Sequence, residues 1–122
     1  MKENEMNIEE FRNYCLEKKG VTEGLPFDDN VLVFKVGNKI FALLTLNNFD
    51  FINLKCDPEK ALLLREEYSG IRPGYHMSKK HWNSVYVNDD VSYDLLLELA
   101  DHSYALILSS LTKKLQKEIT EL

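Results

Sequence analysis

Cysteine is scarce in this 122-residue chain: Cys15 and Cys56 are the only two. That is too few for a disulfide framework, and an intracellular setting keeps both as thiols. Five glycines and three prolines, with no low-complexity segment, internal repeat or linker, argue against a disordered or multi-part chain. The longest nearly apolar runs, such as Tyr104 to Leu108, fall far short of the roughly 18 residues that span a bilayer. Met1 to Asn7 is too polar for a signal peptide, so the expected location is the cytoplasm, with no membrane contact. Catalytic signatures are missing as well. There is no Ser/His/Asp pattern, no glycine-rich phosphate loop and no motif holding two carboxylates at a working distance. His76 and His81 lie five apart, with Cys56 and His102 distant, which matches no zinc signature. The residues therefore predict a protein without catalytic residues, metal or cofactor.

What remains is an ordinary globular composition, 44% hydrophobic and 29% charged, and a length that makes residues 1–122 one domain able to bury a core unaided. The net charge of -5 is unevenly spread. Residues 1–30 hold four bases against eight acids and residues 91–122 three against five, whereas residues 31–90 hold eight bases against seven acids. A polyanion would be repelled by most of this surface and tolerated only near the middle of the sequence.

Local signals order the elements. Asn7 with Glu10 three residues on, and Ile8, Phe11 and Cys15 on one face, predict a helix from about Ile8 to Lys19, stopped by Gly20. Leu25-Pro26-Phe27 reads as extended. Val31–Val36 and Lys39–Leu46 are β-branched and aromatic, and Gly37-Asn38 between them is a two-residue hairpin signal. Phe49–Lys55 reads as a further strand of the same meander. Asp57 caps a helix with Pro58 at its first position and Ala61, Leu64 and Tyr68 inward, ending before Gly70. A loop, 71–80, leads into a strand at His81–Val87. A long helix begins near Ser92, with Leu96, Leu99, Ser103, Leu106, Ile107 and Leu111 at helical spacing, and 112–122 forms a helical tail. Together these predict an α+β two-layer sandwich, an antiparallel sheet with helices packed on one face. The other face is solvated or meets a partner.

The stretch Arg72 to Trp82 is chemically distinct. It holds Arg72, Lys79 and Lys80, two of the three histidines (His76 and His81), Tyr75, the only tryptophan and no acid. The cations suit phosphates, and Tyr75 and Trp82 suit stacking on unpaired bases. Three cations in an acidic protein predict weak, salt-dependent binding. The plainer reading makes Pro73-Gly74 a turn, Trp82 a core residue and the lysines solvated. Cys56, just before the Asp57-capped helix, would gain reactivity from the helix dipole. Asp57 opposes this, and packing is the better account of both cysteines. The strand aromatics Phe34, Phe41, Phe49, Phe51 and Tyr86 exceed what one buried face needs, which points to a homodimer or protein partner on the open sheet face.

Pro26-Phe27, the hairpin Val36 to Leu43, Lys55-Cys-Asp-Pro58, the block Pro73-Gly-Tyr-His-Met-Ser-Lys-Lys-His-Trp-Asn-Ser-Val85 and Ser103-Tyr104 occur in order along the chain. With these motifs the sequence resembles the MmcQ/YjbR family from about Asn7 to Leu111. The resemblance implies a secretion-chaperone or frataxin-like α+β fold and DNA binding of the "double wing" kind. It marks Pro73, Gly74, Tyr75, His76, Lys79, Lys80, His81 and Trp82 as signature positions and supplies no catalytic residue. A non-enzymatic binding protein is the expectation, with Arg72, Tyr75, His76, Lys79, Lys80, His81 and Trp82 as its site. The alternative is a protein-interaction or chaperone-like module on the open sheet face.

Overall fold

A computed structural model describes residues 7–122; the polar stretch at the start of the chain, 1–6, lies outside it. The elements are α1 (Ile8–Leu16), β1 (Val21–Gly24), β2 (Val31–Val36), β3 (Lys39–Thr45), β4 (Phe51–Lys55), α2 (Pro58–Glu67), β5 (Ile71–Pro73), β6 (Trp82–Tyr86), α3 (Tyr93–Ser110) and α4 (Lys113–Thr120). All strand pairings are antiparallel, in the order β1-β2-β3-β4-β6-β5, so the expected α+β sandwich is the observed one.

Each helix starts on a side chain that accepts an otherwise orphaned backbone N–H. Asn7 caps α1 by accepting from Glu10 at 2.8 Å, Asp57 caps α2 from Lys60 at 3.1 Å, Ser92 caps α3 from Leu95 at 3.1 Å, and Thr112 caps α4 from Leu115 at 3.2 Å. The last cap makes the tail a helix in its own right, with Ile119 buried. Between β2 and β3 both Gly37 and Asn38 have positive φ, 57° and 66°, as the tight primed turns of hairpins require. A side chain at Gly37 would also collide with Leu111, whose Cδ1 lies 2.4 Å from the position of a Cβ.

Several boundaries differ from expectation. The first helix ends at Leu16, three residues early, because the chain must turn at Gly20 (φ 75°) to enter β1. That strand, Val-Thr-Glu-Gly, opens with two β formers but is only four residues long and is held by pairing with β2. β5 lies within the expected loop: Ile71, Arg72 and Pro73 pair with Val85, Ser84 and Asn83. Both are edge strands, kept short, and Pro73 withholds a donor from the outer edge of β5.

Cross-strand partners point to the same side of a sheet, so the register sorts the two faces. Leu32, Phe34, Val36, Ala42, Leu44, Ile52, Leu54, Ile71 and Val85 lie inward in one core with Phe11, Cys15, Ala61, Leu96, Leu99, Ala100 and Ile107 from the helices. Aromatic rings run through it from α1 to α3: Phe11–Phe34 at 6.1 Å, Phe34–Phe41 at 6.5 Å and Phe41–Tyr104 at 5.5 Å between centroids. Phe41 reaches the core because the pairing slips there, Phe34 opposing Ala42 and Lys35 opposing Ile40, which leaves Phe41 as the extra residue of a bulge. The fully buried Ser103 of α3 serves that irregularity. Its hydroxyl donates to the Phe41 carbonyl at 2.5 Å and accepts from the Lys55 N–H at 2.9 Å, bridging β3 and β4 just past their last paired residues. The sequence places Ser103 on the inward stripe without revealing this task. Leu106 is only half-buried, and Ala100 takes the inward position instead.

Candidate functional site

The outward sheet face is built from alternate strand residues: Val31, Val33 and Lys35 of β2, Ile40, Leu43 and Thr45 of β3, Phe51, Asn53 and Lys55 of β4, Arg72 of β5, and Trp82, Ser84 and Tyr86 of β6. None of these is an acid and three are cations. On the opposite side Glu23 of β1 pairs with Arg12 of α1 at 2.5 Å, and Asp101 of α3 accepts from Tyr14 of α1 and from Lys18, whereas Asp50, just before β4, borders the outward face.

Residues 74–81 fold over this face and are clamped at both ends. At one end Ser84 Oγ donates to Asn53 Oδ1 at 2.5 Å, Asn53 Nδ2 donates to the Tyr75 carbonyl at 3.1 Å, and the Tyr75 N–H donates to Ser84 Oγ at 2.9 Å. Asn53 and Ser84 are consequently buried although they sit on the outward face. At the other end Arg65 of α2 reaches across: its Nε donates to Asn83 Oδ1 at 2.7 Å and its Nη2 to the carbonyls of Trp82 at 3.2 Å and of Lys79. Gly74 closes the loop against Trp82, where a Cβ would lie 2.7 Å from Trp82 Cβ and 3.0 Å from its carbonyl oxygen. Asn53, Arg65 and Ser84 were not singled out from sequence. The available signal was a polar side chain in the middle of an otherwise apolar strand.

Against this frame the expected site residues separate into groups. Arg72 points outward with its guanidinium 4.0 Å above the Tyr86 ring, and its Nε donates to the Ser69 carbonyl at 3.2 Å. Tyr75, 55% exposed, meets Phe51 edge-on at 5.7 Å and touches His76 at 4.0 Å with the rings tilted by 56°. His76 holds a left-handed conformation, φ 59°, which is costly for a residue with a Cβ. Lys79 donates from Nζ to the Gly74 carbonyl, leaving two of its three donors for other partners. Lys80 and His81 are exposed, and the His81 carbonyl accepts the Cys56 N–H at 2.8 Å. Trp82 departs from the plainer reading that makes it a core residue: it is half-buried on the outward face, opposite Lys55. Among the described residues, Arg72, Lys79 and Lys80 form no ion pair with a carboxylate.

The strand aromatics also divide. Phe34 and Phe41 are fully buried in the core and Phe49 packs against it, whereas Phe51 and Tyr86 face outward, 5.1 Å apart. With Phe27 and Tyr75 these two border a cleft of about 640 Å³ over Val31 and Leu43.

Burial sets the state of the two thiols and of His102. Burial pushes the Cys15 thiol up to about 12 and the Cys56 thiol up to about 11, so both stay protonated, with Lys60 only partly offsetting burial at Cys56. His102 accepts the Asp57 N–H through Nε2 at 3.1 Å, and desolvation, aided by Lys60, lowers its pKa below the ordinary 6.5. Among the described residues no three His, Cys, Asp or Glu side chains converge as a metal shell, and no helix is long and apolar enough to cross a membrane.

Comparison with known proteins agrees with the motif pattern. A family model described as YjbR matches residues 16–106. The protein YbdF of Escherichia coli O157:H7 is 47% identical over 95 residues, covering 77% of this chain and 78% of YbdF. YjbR of Escherichia coli K12 is 31% identical over 118 residues, covering 96% of this chain and all of YjbR (100%). Both carry names that call them uncharacterized. The crystal structure of Deinococcus radiodurans DR2400, with a DUF419 domain, superposes with a TM-score of 0.88 at 37% identity, over 93% of this chain and 88% of that one. With a family model matching most of its length and a relative 47% identical over 77% of it, the chain belongs to the YjbR family.

Proposed function

We propose that this protein is a non-catalytic binding protein that takes DNA on its outward sheet face and the 72–82 loop. One observation carries the reading: Arg72, Lys79 and Lys80 have no carboxylate partner among the described residues and adjoin a sheet face whose strand positions hold Lys35 and Lys55 and no acid. Unpaired cations exchange counterions for phosphates without first breaking an ion pair, and the exposed Tyr75 ring and the half-buried Trp82 ring stack on unpaired bases. The acidic helix side turns the phosphate backbone toward this face. Such a role belongs in the cytoplasm, with the cysteines reduced. Fluorescence anisotropy of labelled single-stranded and duplex DNA, from about 50 to about 200 mM salt, tests it. Wild type is expected to bind saturably and more weakly as salt rises. Lys79→Ala/Lys80→Ala should reduce the slope of log K against log salt by about 1.5 to 2. Absence of binding at the lowest salt would remove DNA as a direct ligand.

The exposure of Phe27 at 65% and of Tyr75 at 55% favours a second reading, a protein or second copy of the chain on the same face. Light scattering of the eluting protein across a concentration series, with Phe27→Ser beside wild type, reads it directly. A monomer at every concentration rules out the homodimer.

A further inference from the structure

We propose that the cleft on the outward sheet face is a binding site for a small organic cation, an amine or quaternary ammonium attached to an apolar body. Its volume, about 640 Å³, falls within the range of small-molecule sites. The outward strand residues Leu43, Phe51 and Tyr86 make its floor, and Phe27 and Tyr75 line it from outside the strands. The Phe51 and Tyr75 rings stand at 79° to each other, an aromatic corner that offers a ring face and a ring edge at once. Ring faces carry the negative lobe of the π quadrupole and attract cations, as aromatic cages do for ammonium groups. The same attraction is already in place at Tyr86, whose ring Arg72 covers at 4.0 Å.

Charge selects among ligands. Asp50 is the one carboxylate on the lining, and no lysine or arginine among the described residues lines it. An anion would meet the Asp50 carboxylate on the lining, and a neutral ligand would cover Asp50 without replacing its hydration. A cation is attracted by both. The lysines and arginine assigned to phosphate are not among the lining residues, while Tyr75 is shared with the surface proposed for DNA, so the ligand test below uses no nucleic acid.

Three ligands sharing one indole body separate the possibilities: tryptamine (cation), tryptophol (neutral) and indole-3-acetate (anion). Each is titrated into the full chain and followed by backbone amide NMR shifts, with Asp50→Asn and Leu43→Trp as variants. The expected result is saturable binding with shifts on β3, β4 and residues 74–77, and tryptamine about tenfold tighter than indole-3-acetate. Asp50→Asn, an exposed change, should bring tryptamine down to the level of tryptophol while leaving tryptophol unchanged, and Leu43→Trp should block all three by filling the floor. Indole-3-acetate binding as tightly as tryptamine, shifts away from the cleft, or no saturable shift for any ligand with the folded protein would overturn the proposal. Because Asp50→Asn reads charge selectivity alone, the test stands even where Leu43→Trp perturbs folding.

Discussion

Replacing Ser103 with alanine isolates one hydroxyl that holds two strands. In the native protein Ser103 Oγ satisfies the Phe41 carbonyl at 2.5 Å and the Lys55 N–H at 2.9 Å, and Ser103 itself is fully buried. Alanine is smaller by one oxygen and suits the interior of α3, so neither helix propensity nor a large cavity opposes the change. The penalty comes from two backbone groups left without partners where the bulge prevents β3 and β4 from pairing. An unsatisfied buried group costs about 1–3 kcal/mol. The void is too small to admit a well-bonded water, and partial relaxation recovers some of the loss. The expected destabilisation is therefore about 2–4 kcal/mol. For a domain of this size that corresponds to a fall in Tm of roughly 6–16 °C. Differential scanning calorimetry with urea unfolding measures it, and Ser109→Ala, on the exposed side of the same helix, serves as the control with a change within about 0.5 kcal/mol. If Ser103→Ala matched that control, the bridging role assigned to Ser103 would be wrong.

Gly74→Ala should lift the 74–81 loop from Trp82, because the new methyl falls 2.7 Å from Trp82 Cβ; the expected cost is about 1–3 kcal/mol, accompanied by a red shift in emission of the single tryptophan, and unchanged fluorescence would refute the close packing. Stability should also fall on mild acidification through His102. Burial lowers its pKa in the folded state, so the unfolded chain takes up a proton first, and the contribution is complete above about pH 6.5 and declines below it. A Tm series between about pH 7.5 and about pH 5.5 should be flatter for His102→Gln than for wild type, and parallel curves would deny His102 that role.

Much of the fold was legible because its signals are local. A cap needs only a side chain and the N–H three residues on, so Asn7, Asp57 and Ser92 announce α1, α2 and α3 from neighbouring residues. The hairpin at Gly37-Asn38 is equally local, since positive φ is a property of the residue. The chemically distinct stretch 72–82 was legible by composition. The short strands β1 and β5 were not, because runs of four and three residues become strands only when a neighbour supplies the ladder.

The sequence by itself determined the class of fold, the positions of the helices and central strands, and which segment carries the unusual chemistry, since caps, turns and periodicity act over a few residues. Tertiary structure alone decided the meaning of single side chains. Trp82 faces outward because it pairs with Lys55, and Asn53 and Ser84 are buried because a loop distant in sequence covers them. Register and cross-chain hydrogen bonds are long-range, and no local pattern encodes which face of a strand a later segment will cover.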